Sequence, residues 1–245
     1  MLSFFKKRTP ITTLFDEHFV DFHSHLLPGI DDGAKNMETS IALIKRMHSY
    51  GIKNFITTPH IMSGVYDNTP ELILKKQQEL QSHLKSIGLT NITLGAAAEY
   101  MLDAGFEKLL EEKKLLTLSD TKILVEMSYH SPPLNLYEQL FNIQMAGYQP
   151  ILAHPERYAF YHRNKKEYTK LKEAGCLFQL NLLSLSTYYG KDVQKVAIDL
   201  LKEGLIDFAG SDTHHMRHLD ALENINQPKI IELVKPVLKN NQSLM

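Results

Sequence analysis

The sequence predicts an α/β fold built as a closed barrel of parallel strands, and three observations predict it. Short apolar runs rich in β-branched and aromatic residues alternate with longer segments of helical period. Seven such runs occur in 245 residues. Six of them end in histidine, aspartate or glutamate or carry one within two residues of the end. Alternation of this kind implies a parallel sheet with right-handed crossovers, either open and doubly wound or closed. Seven units favour closure, and the signatures of nucleotide-binding open sheets, G-x-G-x-x-G after a strand or G-x-x-x-x-G-K-[ST], are missing.

The elements follow one another in order. A first strand over 18–23 leads to a helix over 36–50, stopped by Gly51. A strand over 54–59 precedes a helix over 70–87, where Thr69 caps, Pro70 fits the first turn and Gly88 follows the end. The third strand, 92–99, is followed by a helix over 103–113, and the fourth, 122–128, by one over 135–146 that stops at Gly147. A fifth strand, 149–154, and a helix, 165–174, end at Gly175. The sixth strand, 176–181, a helix over 192–202 before Gly204, and a seventh strand, 206–211, complete the series. No element is assigned beyond 211.

Against a soft prior of about 150 residues per domain, one large domain over 1–245 is expected, with 1–17 as an N-terminal extension. The chain is 43% hydrophobic and 22% charged, which suits a globular protein with ample core and excludes collagen-like and disordered classes. Lysine and arginine total 27 against 28 acidic residues, so no general attraction to nucleic acid or anionic lipid is available. The one cysteine, Cys176, excludes an intrachain disulfide and a cysteine-rich zinc site. No apolar run approaches the roughly 20 residues of a membrane span, and the basic start at Lys6, Lys7 and Arg8 is followed by no signal-peptide core. A cytoplasmic location is expected.

Active sites of parallel barrels lie at the carboxyl ends of the strands. The first strand ends in His23-Ser24-His25, whose two imidazoles project to one face of an extended backbone. Asp32 follows in the next loop. The second strand is followed by His60, the third ends in Glu99, and the fourth carries Glu126. Carboxylates closing apolar runs are costly to bury unpaired, and a cation removes that cost. The fifth strand ends in His154 and the seventh leads to Asp212-Thr213-His214. Nine oxygen and nitrogen donors exceed one tetrahedral ion and suit a cluster of two or three divalent metals. Such a centre lowers the pKa of water, clamps attacking and leaving oxygens and suits phosphoryl displacement. Arg157, three residues after His154, offers a planar fork for phosphoryl oxygens.

The set His23-x-His25, Asp32, His60, Glu99, Glu126, His154 and Asp212-x-His214 resembles the polymerase and histidinol phosphatase (PHP) superfamily of trinuclear metal phosphoesterases. Within it, the stretch from His23-Ser24-His25 to Asp31-Asp32-Gly33, Thr58-Pro59-His60 and Ala153-His154-Pro155-Glu156-Arg157-Tyr158 resemble the bacterial capsular and exopolysaccharide tyrosine phosphatases. The resemblance runs from about residue 21 to 214. It implies a distorted (β/α)7 barrel and three divalent ions, manganese foremost, or iron or zinc. On that analogy His23, His25, Glu99 and Asp212 hold the first metal, and Glu99 bridges to a second held by Glu126 and His154. Asp32, His60 and His214 hold the third. The analogy assigns phosphate contact to Arg157 and, on a looser match, Arg217. Many relatives begin almost at the first strand, so the extension departs from their pattern.

The resemblance further implies a metal-dependent phosphatase for phosphotyrosine in proteins, with a bacterial tyrosine autokinase of polysaccharide export as partner substrate. A homo-oligomer stays open. Two alternatives remain: a phosphatase for a small metabolite such as histidinol phosphate, and a non-catalytic metal-binding module. The donor set separates the first two poorly; the motifs around His60 and His154 favour phosphotyrosine. A cysteine-dependent mechanism is excluded because Leu182 stands six positions after Cys176, where an arginine is required. His18, His48, His83, His130, His162, His215 and His218 are assigned to surface or core, His130 with a possible reach to substrate. Tyr66, Tyr188 and Tyr189 fall in loops on the carboxyl side, either flanking a substrate ring or packing the rim.

Overall fold

The computed structural model describes residues 9–244. Among them the strands are β1 (Val20–Asp21), β2 (Asn54–Thr57), β3 (His60–Ile61), β4 (Thr93–Ala96), β5 (Glu99–Met101), β6 (Lys122–Glu126), β7 (Gln149–Ala153), β8 (Leu177–Asn181) and β9 (Phe208–Gly210). Every pairing between them is parallel, in two sheets ordered β1-β2-β4 and β3-β5-β6-β7-β8-β9. The second and third predicted strands are each broken in two. Pro59 has no amide hydrogen to donate and interrupts the second, while Ala97 and Ala98 separate β4 from β5. The breaks preserve continuity: Ala97 N–H donates to Thr57 O at 2.9 Å and Glu99 N–H to Pro59 O at 3.1 Å. Seven staves therefore remain, and the barrel is distorted where the chain turns His60 and Glu99 toward its axis.

The residues just past β1 and β9 close the barrel. Ser24 bridges Thr213 in parallel, His25 N–H donates to Thr213 O at 3.0 Å, and Asp212 N–H donates to His23 O at 2.6 Å. The two histidine-bearing motifs thus form the seam itself. Only glycine fits this approach at two points: a Cβ on Gly210 would lie 2.6 Å from His23 Cβ, and one on Gly33 2.2 Å from His25 O.

The helices are α1 (Met37–Ser49), α2 (Pro70–Ser86), α3 (Ala104–Glu111), α4 (Leu136–Met145), α5 (Lys166–Glu173), α6 (Lys191–Lys202), α7 (Met216–Glu223) and α8 (Pro228–Asn240). Asn36, Thr69 and Asp103 cap α1, α2 and α3 by accepting from Thr39, Leu72 and Phe106 amides. α7 and α8 lie beyond residue 211, where the sequence pattern predicts no element, and they correct that expectation. α7 begins directly after the Asp212-x-His214 motif, and α8 contains Pro236, which reads as a breaker.

Strand side chains alternate between two cores. Val20, Phe22, Ala97, Leu124, Ile151, Ala153 and Phe208 meet inside the barrel with Leu118 and Leu244. Phe55, Ile123, Val125, Leu152 and Phe178 face the helices in a larger cluster with Leu43, Leu80, Leu140, Leu171 and Leu200. The described part of the predicted extension is packed rather than appended. Ile11 in a short 3-10 turn (Ile11–Leu14) is buried, donates to Ile225 O at 2.8 Å, and joins Phe15 and Phe19 in the larger core. Residues 1–8 lie outside the described residues. At the closed end, Asn241 Nδ2 donates to Val20 O at 2.8 Å and Ala209 O at 2.6 Å, so the C-terminal segment seals the barrel opposite the site.

Candidate metal centre

The alternation that puts Leu124 in the inner core puts Glu126, two residues on, at the inner mouth. Glu99 reaches the same region from the start of β5, and His23 and His25 from the seam. His154 and Asp212 arrive differently. Both have left-handed backbones, with φ of 38° and 49°. Non-glycine residues rarely adopt this region, and such strain concentrates at functional sites.

His23 and His25 each present one nitrogen to a partner and the other to the cluster. Nδ1 of His23 lies 2.8 Å from Gln179 Oε1, and Nδ1 of His25 lies 2.8 Å from Asp31 Oδ2. Nε2 of His23 then sits 3.1 Å from Glu99 Oε2 and 3.3 Å from Asp212 Oδ1. Nε2 of His25 sits 3.3 Å and 3.4 Å from the same two oxygens. His60 Nδ1 is 2.8 Å from Glu126 Oε1 and 3.3 Å from Glu99 Oε2. Its Nε2 is 3.5 Å from Asp32 Oδ1, which is 3.4 Å from His214 Nε2. His154 Nε2 meets the other Glu99 oxygen at 3.1 Å.

Three groups of donor atoms converge closely enough to hold a cation: His23, His25, Glu99 and Asp212; His60, Glu99 and Glu126; and His25, Asp32, His60 and His214. His60 and His25 each enter two groups, whereas the family analogy puts each in one and seats His154 beside Glu126. Despite the short distances, His23 Nε2, His25 Nε2, His60 Nδ1, Glu99 Oε2 and Glu126 Oε1 are buried without hydrogen-bond geometry to any partner. Their lone pairs face shared points, and buried donors of this kind are costly unless a cation satisfies them. The residues present fit divalent metal.

The charges balance in the same pattern. Burial opposes a proton on His23, but Glu99 and Asp212 outweigh it and hold His23 at about 9. His25 is likewise held up against burial, chiefly by Asp31. Burial would raise Glu99 and Asp212, yet the histidines, led by His23, keep both well below the usual carboxylate range. Burial and then Glu99 push Glu126 up. Protons on imidazole thus balance carboxylates where a divalent cation would displace them.

Above the donors opens a pocket of about 740 Å3. Arg157 lines it, in the 3-10 turn (Pro155–Arg157) that follows His154. The two oxygens of Asp212 divide their work: Oδ1 faces the imidazoles, while Oδ2 accepts from Arg157 at 2.9 Å and from Asn181 at 2.7 Å. Arg217 is not brought in; it is exposed on α7 and does not line the pocket. Tyr66, Tyr188 and Tyr189 all line the pocket, and Tyr66 stacks on His60 at 5.4 Å. His130, His215 and His218 line it too. His18 and His83 are exposed, while His48 and His162 are half-buried. Sequence reasoning missed Asp31, Gln179 and Tyr129. Asp31 carried a signal, since it precedes Asp32; Gln179 and Tyr129 carried none beyond their place at or after a strand. Cys176 is buried, and burial pushes its thiol up to about 12, which makes it inert.

Fold and site together define a parallel β/α barrel with a polynuclear-type donor cluster at its carboxyl mouth, the class to which PHP-type phosphoesterases belong. Residues 19–234 match the family described as capsular polysaccharide synthesis, CpsB/CapC. The chain belongs to that family. It is 32% identical over 199 residues to the tyrosine-protein phosphatase YwqE of Bacillus subtilis, covering 81% of this chain and 78% of the relative. It is also 32% identical, over 204 residues, to the tyrosine-protein phosphatase CpsB of Streptococcus pneumoniae, covering 80% of this chain and 83% of the relative. Among solved structures, those of YwqE and CpsB, reported as unique metal-dependent tyrosine phosphatases, give a TM-score of 0.75 at 29% identity over 90% of this chain and 94% of theirs. A histidinol phosphate phosphatase from Lactococcus lactis shares the fold, with a TM-score of 0.56 at 13% identity over 91% and 94%. Among the described residues no helix is long and apolar enough to cross a membrane.

Proposed function

We propose that this chain is a metal-dependent phosphatase that hydrolyses phosphotyrosine in proteins, with a bacterial tyrosine kinase of capsule or exopolysaccharide synthesis as substrate. The observation that carries the reading is the convergence of eight donor residues in three groups, with His154 against Glu99, beneath Arg157, in a family whose named relatives are tyrosine phosphatases. We assign metal binding to His23, His25, Asp32, His60, Glu99, Glu126, His154, Asp212 and His214, with three ions, manganese foremost, and place the enzyme in the cytoplasm as one catalytic domain. Bound cations supply Lewis acidity, polarising a phosphoryl oxygen and lowering the pKa of water.

The residues do the rest. Asp31 and Gln179 fix which nitrogen His25 and His23 present to the cluster. Arg157 neutralises equatorial phosphoryl oxygens through its fork, and we assign this contact to Arg157 rather than Arg217. The rings of Tyr66, Tyr188 and Tyr189 offer an apolar wall to a substrate ring, and the buried floor keeps charge interactions strong. A phenol of pKa about 10 needs less protonation on leaving than an alkyl alcohol does. Initial phosphate release from a phosphotyrosine peptide, a phosphoserine peptide and histidinol phosphate, each with Mn2+, tests the reading. A strong preference for the phosphotyrosine peptide supports it; preference for histidinol phosphate moves the enzyme into small-molecule metabolism and refutes it.

A further inference from the structure

Among the described residues Arg157 is the one arginine or lysine that lines the pocket above the donor cluster, and its guanidinium lies over two aromatic rings. Its central carbon is 4.8 Å from the centroid of Tyr129 and 4.2 Å from that of Tyr189. The two rings come from distant parts of the chain, one from the loop after β6 and the other from the segment before α6. Each is itself held. Tyr129 stacks against His154 at 5.7 Å and places its hydroxyl 3.5 Å from that imidazole. Tyr189 accepts a hydrogen bond from Asn181 Nδ2 at 3.3 Å, and the same amide donates to Asp212 Oδ2 at 2.7 Å.

We infer that Tyr129 and Tyr189 are positioning residues that hold the Arg157 guanidinium for an incoming phosphoryl group; this rests on the phosphatase reading above. An arginine on a flexible stem loses rotamer freedom when it engages an anion. Ring faces remove that cost in advance, because the quadrupole of an aromatic face attracts the cation without using an N–H donor. A carboxylate in their place would occupy the donors. Of the five N–H groups, Nη1 donates to Asp212 Oδ2 at 2.9 Å, the one acceptor found for this guanidinium among the described residues. Nε and Nη2 are thus free for the two-point contact that phosphate prefers. Asp212 and the rings together constrain the fork on the side of the donors, so phosphate meets an oriented cation.

The test uses the full chain loaded with Mn2+, with inorganic phosphate as the probe. Its dissociation constant is measured by calorimetry and its inhibition constant against phosphotyrosine peptide hydrolysis, with metal content and circular dichroism as controls on folding. Tyr129→Leu and Tyr189→Leu should each weaken phosphate binding roughly tenfold with metal content unchanged. Tyr129→Phe and Tyr189→Phe keep the ring face and should stay within about twofold of wild type. In an Arg157→Ala background, the leucine substitutions should add nothing, because the rings act through the arginine. Leucine variants that bind phosphate like wild type, phenylalanine variants that lose as much as leucine, or an undiminished leucine effect in the Arg157→Ala background would each overturn the clamp. So would a metal-loaded wild type that does not bind phosphate. A wild type that shows the pattern with phosphate but leaves phosphotyrosine peptide intact retains the clamp and overturns the substrate reading instead.

Discussion

Asp212 shows how much a single residue does in this site. Its left-handed backbone turns a side chain from the barrel seam into the pocket, one oxygen faces three histidines, and the other orients Arg157. Asp212→Ala should therefore lower turnover of a phosphotyrosine peptide by more than about a hundredfold with the fold retained, since even partners outside the metal shell cost ten- to a hundredfold. Retained turnover in that variant would remove Asp212 from the centre. Asp31→Asn tests such a partner: it keeps the shape but weakens the hold on His25, and Mn2+ affinity should fall about 10- to 100-fold. The pH response follows from His23, which burial disfavours but Glu99 and Asp212 keep protonated up to about 9 against an ordinary 6.5. A folded pKa raised in this way stabilises fully below 6.5, and the contribution is lost as pH climbs through 9. The melting temperature in chelator should accordingly fall from pH 6.5 to 9; with Mn2+ it should hold or rise, because the cation competes with the proton. A rising melting point in chelator would contradict the charge pattern. At this scale the donors were legible because histidine and carboxylate at strand ends carry their chemistry in their identity. Gln179 was not, because an amide inside a strand becomes a partner of His23 only when the barrel closes.

Elements were legible where period and punctuation agreed. Thr69 and Pro70 marked the start of α2, and glycines marked helix ends, because capping and left-handed termini are local properties. The division of the second and third strands was not legible as such, although Pro59 stood in plain view; the break depends on the flanking staves bonding past it, Ser24 to Thr58 on one side and Ala97 and Glu99 to Thr57 and Pro59 on the other. α7 and α8 were missed because one follows a ligand motif and the other contains Pro236, and tertiary burial of Leu219, Leu222, Val234 and Leu238 overrides the local signal. The seam makes its own prediction. Gly210→Ala drives a methyl group into His23, so it should cost about 1–3 kcal/mol of stability by denaturant unfolding and weaken Mn2+ affinity at the same time. A variant as stable as wild type would show that the seam can shift.

At the scale of the whole molecule, the two ends of the barrel carry separate tasks. The carboxyl mouth gathers strain, buried charge and orphaned donors, while the opposite end is closed by Asn241 and Leu244 and by backbone hydrogen bonds. Asn241→Ala leaves Val20 and Ala209 carbonyls unpaired and should cost about 1–3 kcal/mol with metal affinity and turnover unchanged. Loss of turnover in a folded Asn241→Ala protein would mean that the two ends are coupled. The barrel was predictable as a whole because alternating strands and helices allow few closed solutions, whereas the sealing role of the last residues depends on contacts more than two hundred positions away in sequence, as between Asn241 and Val20.

The central claim is that the donor cluster is a metal centre that hydrolyses phosphotyrosine. Its most direct test is a titration of metal-free protein with Mn2+, following bound metal and phosphate release from a phosphotyrosine peptide in the same samples. The account predicts no turnover without metal, activity that rises with occupancy and saturates only beyond one equivalent, and loss of activity on chelation. Full turnover in metal-free protein, or saturated metal binding with no phosphate release, would contradict it.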